Sequence, residues 1–233
     1  MNAQKFGEDR AAEYVEQSKI ALAGYEACHE LTACLLSAVV GEGTTARILV
    51  VGAGGPGLEV ILTAKLESLW SFVAVEPSEP MLELARSAIG KAGYADRTQF
   101  HHGYVNDLPP DERFDAAVMF GVFHHLEGDT GKRELLAPIA RRLKPKAPLF
   151  LSGNRYRYAD KPVLLRAWGN RWRLHGLPNE IVASKLATIL KGADPPSSDE
   201  EVERFLDEAG FARHTKYFSS LFWSSWMTFL RQD

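Results

Sequence analysis

The stretch ILVVGAGGPGLEVILTA, residues 48 to 64, constrains the fold of this chain more than any other. Four apolar residues, a glycine cluster from Gly52 to Gly57 and then apolar residues at helical spacing describe a buried strand, a tight turn and a helix. Glycine in such a turn permits positive φ and lets a ligand or another backbone approach closely. Gly52, Gly54 and Gly57 satisfy G-x-G-x-x-G, and Glu76 ends the next apolar run, where an acidic side chain can hold ribose hydroxyls. A nucleotide-like ligand is the expectation. Taken alone, the pattern fits an NAD or FAD oxidoreductase, and some turns of this kind are purely structural.

Further strand-like runs follow at Phe72 to Val75, TQFHHG (98 to 103), FDAAVMFG (114 to 121) and APLFLSG (147 to 153), after a first at Arg47 to Val51. Helical segments lie between them: Leu58 to Leu69, a helix opened by Ser78 and Pro80 and closed at Gly93, and one containing ELLAPIARRLK, where Pro138 predicts a kink or a late start. This alternation requires an α/β fold with a parallel sheet covered on both faces. Ahead of it, Asp9 to Val40 has helical spacing broken at Gly24, which predicts two short helices, an N-terminal cap over residues 1–44 preceding a domain over 45–233. Residues 155 to 190 interrupt the alternation with one or two helices bearing Trp and Arg, a lid insertion at about 155–192 after strand five. Pro195 to Ser198 reads as a hinge. Ser198-Asp-Glu-Glu201 is a capping box for a helix ending at Gly210, before two last strand-like runs, ARHTKYFS and WSSWMTFLR.

Composition narrows the partners. At 233 residues and 45% hydrophobic the chain can bury one full core, and a net charge of -3 gives no overall basic field, so nucleic acid is not the expected partner. The polar N-terminus argues against a secretory signal, and no apolar run reaches the ~20 residues a membrane span needs. Cys28 and Cys34 fall on different faces of a helix and form no disulfide framework. The expectation is a cytoplasmic protein with a small-molecule partner, no membrane and no metal, with a homodimer left open.

In their order the elements resemble the class I S-adenosylmethionine-dependent methyltransferases, over roughly residues 45 to 233. VVGAGGPG stands as the first motif, VAVEPSEPMLELAR as the ribose-binding segment, HGYVNDLP as the adenine-side loop, FDAAVMFGVFHHL at strand four and LKPKAPLFLSG at strand five. SSDEEVERFLDEAGF with two strands resembles the family's final helix and antiparallel hairpin. The resemblance implies a Rossmann-like, mostly parallel seven-stranded sheet and S-adenosyl-L-methionine as cofactor. It places Gly52, Ala53, Gly54, Gly57, Glu76, Pro77, Met81, Tyr104, Val105, Phe120 and Gly121 around that cofactor. Three positions depart from the pattern: Val50 stands where relatives often carry an acid, Tyr104 where an Asp commonly reads the adenine amine, and Phe120 where a polar residue is frequent.

The cap, EYVEQSKIALAGYEACHEL, is similar to the N-terminal helices of the carboxy-S-adenosylmethionine synthase branch, and Gly24-Tyr25 falls on that branch's Gly-Tyr. This implies that Tyr25 contacts the methionine carboxylate. GLPNEIVASKLATIL resembles the branch's lid helix, with Lys185 in place of its carboxylate-gripping Arg; a Lys lacks the bidentate fork, which weighs against a prephenate-type donor.

Beyond the cofactor, Asn154 and Tyr156 are expected to share a strand face at the carboxyl edge of the sheet and, with Tyr25, to restrain the sulfonium end, as candidate catalytic residues. Trp168 and Lys185 on the lid are candidate substrate contacts. Between residues 155 and 185 seven basic side chains stand against two acidic ones, a pattern compatible with an anionic ligand or RNA but more often a solvated helix. His124 and His125 are adjacent and cannot both face one site from a helix, so positioning is their expected role; His101 and His102 receive none, and Trp223 and Trp226 are expected in the core.

The leading expectation is methyl transfer to a small-molecule acceptor. The alternatives are S-adenosyl-L-methionine as the substrate itself, cyclised to azetidine-2-carboxylate and methylthioadenosine or modified as in carboxy-S-adenosylmethionine synthesis, and an RNA-associated or non-catalytic binding protein.

Overall fold

A computed structural model describes residues 8–232, with side chains from Val15 onward. Residues 1–7 of the expected cap lie outside the described residues. The apolar runs form strands β1 (Arg47–Val51), β2 (Ser71–Glu76), β3 (Thr98–His102), β4 (Ala116–Phe120), β5 (Pro148–Asn154), β6 (Phe211–Ser220) and β7 (Trp223–Leu230) in one sheet, ordered β3-β2-β1-β4-β5-β7-β6. β1 to β5 are parallel, whereas β7 runs antiparallel to both β5 and β6.

Alternate residues of β1 feed opposite faces. Ile48 and Val50 pack with Val60, Ala85 and Ile89 of helices α3 (Leu58–Leu66) and α4 (Glu79–Lys91). Leu49 and Val51 pack with Leu136 and Ile139 of α5 (Gly128–Arg142) and Val202 and Phe205 of α8 (Asp199–Glu208). The cap forms α1 (Glu8–Ala21) and α2 (Tyr25–Val40), divided at Gly24, whose φ is 81°. Leu22, Cys28 and Leu36 share one core with Ile48 and Val50, so cap and sheet are packed together. The lid consists of a 3-10 turn (Tyr158–Asp160), α6 (Pro162–Leu174) and α7 (Asn179–Gly192).

Three local expectations change. α3 ends at Leu66, because Glu67 is extended and its buried carboxylate accepts from Ser37 Oγ and the Gly43 N–H. α5 starts at Gly128 and runs through Pro138, so the helix has no late start; burial of Leu136, Pro138 and Ile139 offsets the lost backbone bond. At α8, Ser198 Oγ accepts the Glu201 N–H at 3.2 Å, but the Glu201 carboxylate reaches the N–H of Ser197 instead of Ser198. Among the described residues no helix is long and apolar enough to cross a membrane, and no group of three or more His, Cys, Asp and Glu could hold a metal ion.

Candidate active site

Strand order reverses between β1 and β4, and the crevice beyond their carboxyl ends is where open α/β sheets take ligands. The glycine turn occupies it. The N–H groups of Gly52 and Ala53 donate to Val75 O at 2.9 and 3.0 Å, latching the turn to the end of β2. Gly52 has φ +69°, and a Cβ there would lie 2.1 Å from Val122 Cγ2. At Gly54 a Cβ would meet Met81 Cβ at 2.7 Å and Glu76 Oε2 at 2.9 Å, so the bare backbone is what lets Met81 and Glu76 close in beneath the turn.

Glu76 is buried, its Oε2 accepting from the Gly54 N–H at 3.2 Å and Oε1 from the Ser78 N–H at 2.9 Å. Burial pushes its pKa up to about 7, against the opposing pull of those two N–H groups. Pro77 follows it, its carbonyl 3.2 Å from His102 Nε2. Tyr104 is half exposed, and Val105 is buried with its carbonyl held by Arg142 Nε at 2.9 Å.

A cavity of about 500 Å³ opens from this turn toward the cap and lid. Of the residues expected at the site, Tyr25, Gly54, Phe120, Gly121, Asn154, Trp168 and Lys185 line it. Gly52, Ala53, Gly57, Glu76, Pro77, Met81, Tyr104 and Val105 lie outside that lining, as the turn, its support and the loops after β2 and β3. Tyr156 is also outside it: β5 ends at Asn154 and the chain turns with Tyr156 at φ +68°, so the shared strand face does not form. The Tyr156 ring instead carries the Arg155 guanidinium at 4.3 Å and Lys161 Nζ at 4.9 Å. Tyr158 takes the place expected of Tyr156, its hydroxyl accepting from Asn154 Nδ2 at 3.0 Å.

The lid is tied to the cap. Trp168 Nε1 donates to Ala21 O at 2.7 Å, Arg171 to the carbonyls of Ile20 and Lys19, and Lys185 Nζ to Gln17 Oε1 at 2.7 Å while lying 4.9 Å over Trp172. Arg155, buried, pairs with Asp199 and donates to two carbonyls. Arg155 is thus neutralised by an acid, while Arg171 and Lys185 are held in place by neutral oxygens.

Several lining residues, His29, Glu59 and Trp223 among them, are not marked by the sequence. His29 lies four residues after Tyr25 on α2, and its ring stacks on Phe120 at 4.2 Å. Glu59 follows Gly57 by two residues on the first turn of α3, and burial raises its pKa to about 7. Trp223, expected in the core, faces the cavity 6.2 Å from Phe120, and Tyr158, which follows the end of β5 at Asn154, lines it too. His124 and His125 both line it as well, because they sit in a 3-10 turn (Phe123–His125) and not in an α-helix. The i, i+4 pairing of Tyr25 with His29 is the signal that could have found the cap's contribution.

Residues 48–146 match the family described as "Methyltransferase domain". No curated protein matches in sequence. Among solved structures, one from Methanococcus maripaludis, named as a candidate S-adenosyl-L-methionine-dependent methyltransferase, has a TM-score of 0.65 at 23% identity over 100% of this chain and 97% of that one. An O-methyltransferase family 2 protein from Planctomyces limnophilus in complex with apigenin has a TM-score of 0.59 at 16% identity, over 84% and 56%. Human N-acetylserotonin methyltransferase in complex with SAM has 0.59 at 12%, over 87% and 52%. Many of the similar structures are longer proteins, of which the chain spans 50% to 67%. These likenesses show the fold, a mostly parallel seven-stranded Rossmann-like methyltransferase fold.

Proposed function

We propose, from a chain whose residues 48–146 match a methyltransferase domain, an enzyme that binds S-adenosyl-L-methionine and transfers its methyl group to a small-molecule acceptor. The observation that carries this reading is the cavity of about 500 Å³ joining the glycine turn to the lid, within the range of small-molecule sites.

The residues fit the cofactor. The bare Gly54 backbone lets Glu76 sit directly beneath the turn, and each Glu76 oxygen, accepting one backbone N–H, keeps a lone pair for a ribose hydroxyl. When bound, S-adenosyl-L-methionine supplies an electrophilic methyl group on a sulfonium. Gly54 and Glu76 would hold the nucleoside, while Phe120, Tyr25 and Trp223 wall the cationic end, where aromatic faces favour positive charge. Trp168 and Lys185 face the same space from the lid and would contact the acceptor. The lid-to-cap hydrogen bonds exclude water. Asn154, held between Tyr158 and His124, offers an ordered polar group beside the reacting end.

A second reading draws on the same lid-to-cap bonds, which narrow the way in for an acceptor. Here S-adenosyl-L-methionine is the substrate: its α-nitrogen bonds to its own γ-carbon, the C–S bond breaks toward methylthioadenosine and the nitrogen loses a proton, giving azetidine-2-carboxylate. Lys185, held by Gln17, weighs against carboxylation of the cofactor, and the net charge of -3 weighs against an RNA backbone as partner.

Incubation with S-adenosyl-L-methionine and separation of the nucleosides tests both readings. Adenosylhomocysteine formed only when an acceptor is added supports methyl transfer, methylthioadenosine without an acceptor supports cyclisation, and absence of binding removes both. Glu76→Gln, which turns one acceptor into a donor facing a backbone N–H, should weaken calorimetric affinity about tenfold, equivalent to ~1.4 kcal/mol. Unchanged affinity removes the ribose assignment.

A further inference from the structure

The Glu59 side chain is 13% exposed and lines the cavity, yet among the described residues no Lys or Arg pairs with it. Its nearest ionisable neighbour, His29 Nδ1, lies 3.7 Å from Oε1, beyond a hydrogen bond. The His29 ring is 3% exposed with neither nitrogen partnered, although it lines the same cavity. Phe120 stacks on it at 4.2 Å and Tyr25 meets it edge-on at 4.6 Å. A largely covered carboxyl beside aromatic rings, with no Lys or Arg among the described residues paired to it, is a poor environment for bare charge and a favourable one for an organic cation.

We propose that Glu59 is a proton-exchanging cation site: an ammonium or sulfonium entering the cavity displaces the proton that Glu59 carries in the free protein, and ligand binding releases it to solvent. The proposal rests on the S-adenosyl-L-methionine reading, since that molecule carries both cations. The balance is simple: the free carboxylic acid loses H⁺ to water, the carboxylate stays to face the cation, and no covalent bond in the ligand changes.

Among the described residues Lys and Arg do not pair with Glu59, and the titratable groups around it are these. From α2, Cys28 is pushed up to about 11 by burial and His29 down to about 3, so both are neutral near pH 7. After β5, burial raises the Tyr158 pKa and keeps it neutral. Tyr25, His124 and His125 share the cavity, and Lys185 of α7 is committed to Gln17 and Trp172. With the Glu59 pKa at about 7, the free protein holds about half a proton there at pH 7.

Titration calorimetry in two buffers of different ionisation enthalpy reads the proton directly. Methylthioadenosine, which has neither cation, sets the baseline, since its ribose can displace the proton of Glu76, also raised to about 7. Beyond that baseline, S-adenosyl-L-methionine should release about 0.5 proton at pH 7, rising toward one at pH 6 and vanishing by pH 8.5; adenosylhomocysteine, which keeps only the ammonium, tells whether nitrogen or sulfur faces Glu59. Glu59→Gln should abolish this excess and weaken S-adenosyl-L-methionine binding about tenfold or more, while unchanged methylthioadenosine affinity shows that the variant is folded. An excess that persists in Glu59→Gln, or is missing from the unsubstituted protein, overturns the proposal. Binding without the excess overturns it alone, whereas no binding of any S-adenosyl nucleoside removes the cofactor reading with it.

Discussion

Gly52→Ala lowers the midpoint of thermal unfolding by roughly 10 °C and abolishes binding at the glycine turn. Two costs add. Gly52 has φ +69°, which an L-residue adopts at about 1–2 kcal/mol, and the new Cβ would sit 2.1 Å from Val122 Cγ2. Val122 is packed in the same cluster as Leu49, Val51 and Phe123, so it has no room to withdraw, and overpacking of this kind costs about 1–3 kcal/mol. Together, about 3 kcal/mol corresponds to roughly 10 °C in a chain of this size. Any relaxation must move the turn, which breaks the paired donation of Gly52 and Ala53 to Val75 O and shifts Gly54 off Glu76. Gly43→Ala is the control: its φ is +70° but nothing lies within 4 Å of the added Cβ, so only the conformational cost of about 1–2 kcal/mol remains. Equal shifts in the two variants, read by differential scanning calorimetry, would show that the Val122 contact carries no weight.

The same contrast explains what was legible before the structure. The glycine turn, the central strands and the hairpin of β6 and β7 are written locally, in apolar runs punctuated by turn residues, and they fold where the pattern puts them. The two helices of the cap, divided at Gly24, follow the same local pattern, and their packing onto the sheet is a tertiary fact that the spacing alone does not give. The site was legible only where one element builds it. Tyr156 was misplaced because a single positive φ after Asn154 ends the two-residue alternation, and nothing in SGNRYRY marks that bend. His29 and Glu59 were invisible for a different reason: each reads as an ordinary helical residue, and their shared environment arises only when α2 packs against α3. Trp223 belongs to the same class, since the end of β7 is brought beside Asn154 by the antiparallel register, far from it in sequence.

Glu59 also leaves a signature in stability. Its folded pKa of about 7 lies above its ordinary 4.5, so between these values the folded protein holds more proton than the unfolded chain, and its contribution is lost as pH rises through 7. Below pH 4.5 the acid is neutral in both states and the penalty is absent. Glu59→Gln keeps the shape and never ionises. It should match the parent protein to within a few tenths of a kcal/mol near pH 4.5 and exceed it by about 3 kcal/mol at pH 8, a gain of roughly 6–12 °C in midpoint. Glu76 and His29 titrate in both proteins, the first also raised to about 7 and the second lowered to about 3, so their effects cancel in the difference. A stabilising substitution at a cavity-lining acid is expected where a group is held for a ligand at a cost to the fold. Saturating S-adenosyl-L-methionine should therefore narrow the gap at pH 8 by ~1.4 kcal/mol or more, since the cation stabilises the carboxylate and offers less to the amide. Identical midpoints at pH 8 without ligand would mean that Glu59 is hydrated and carries no penalty for a cation to relieve.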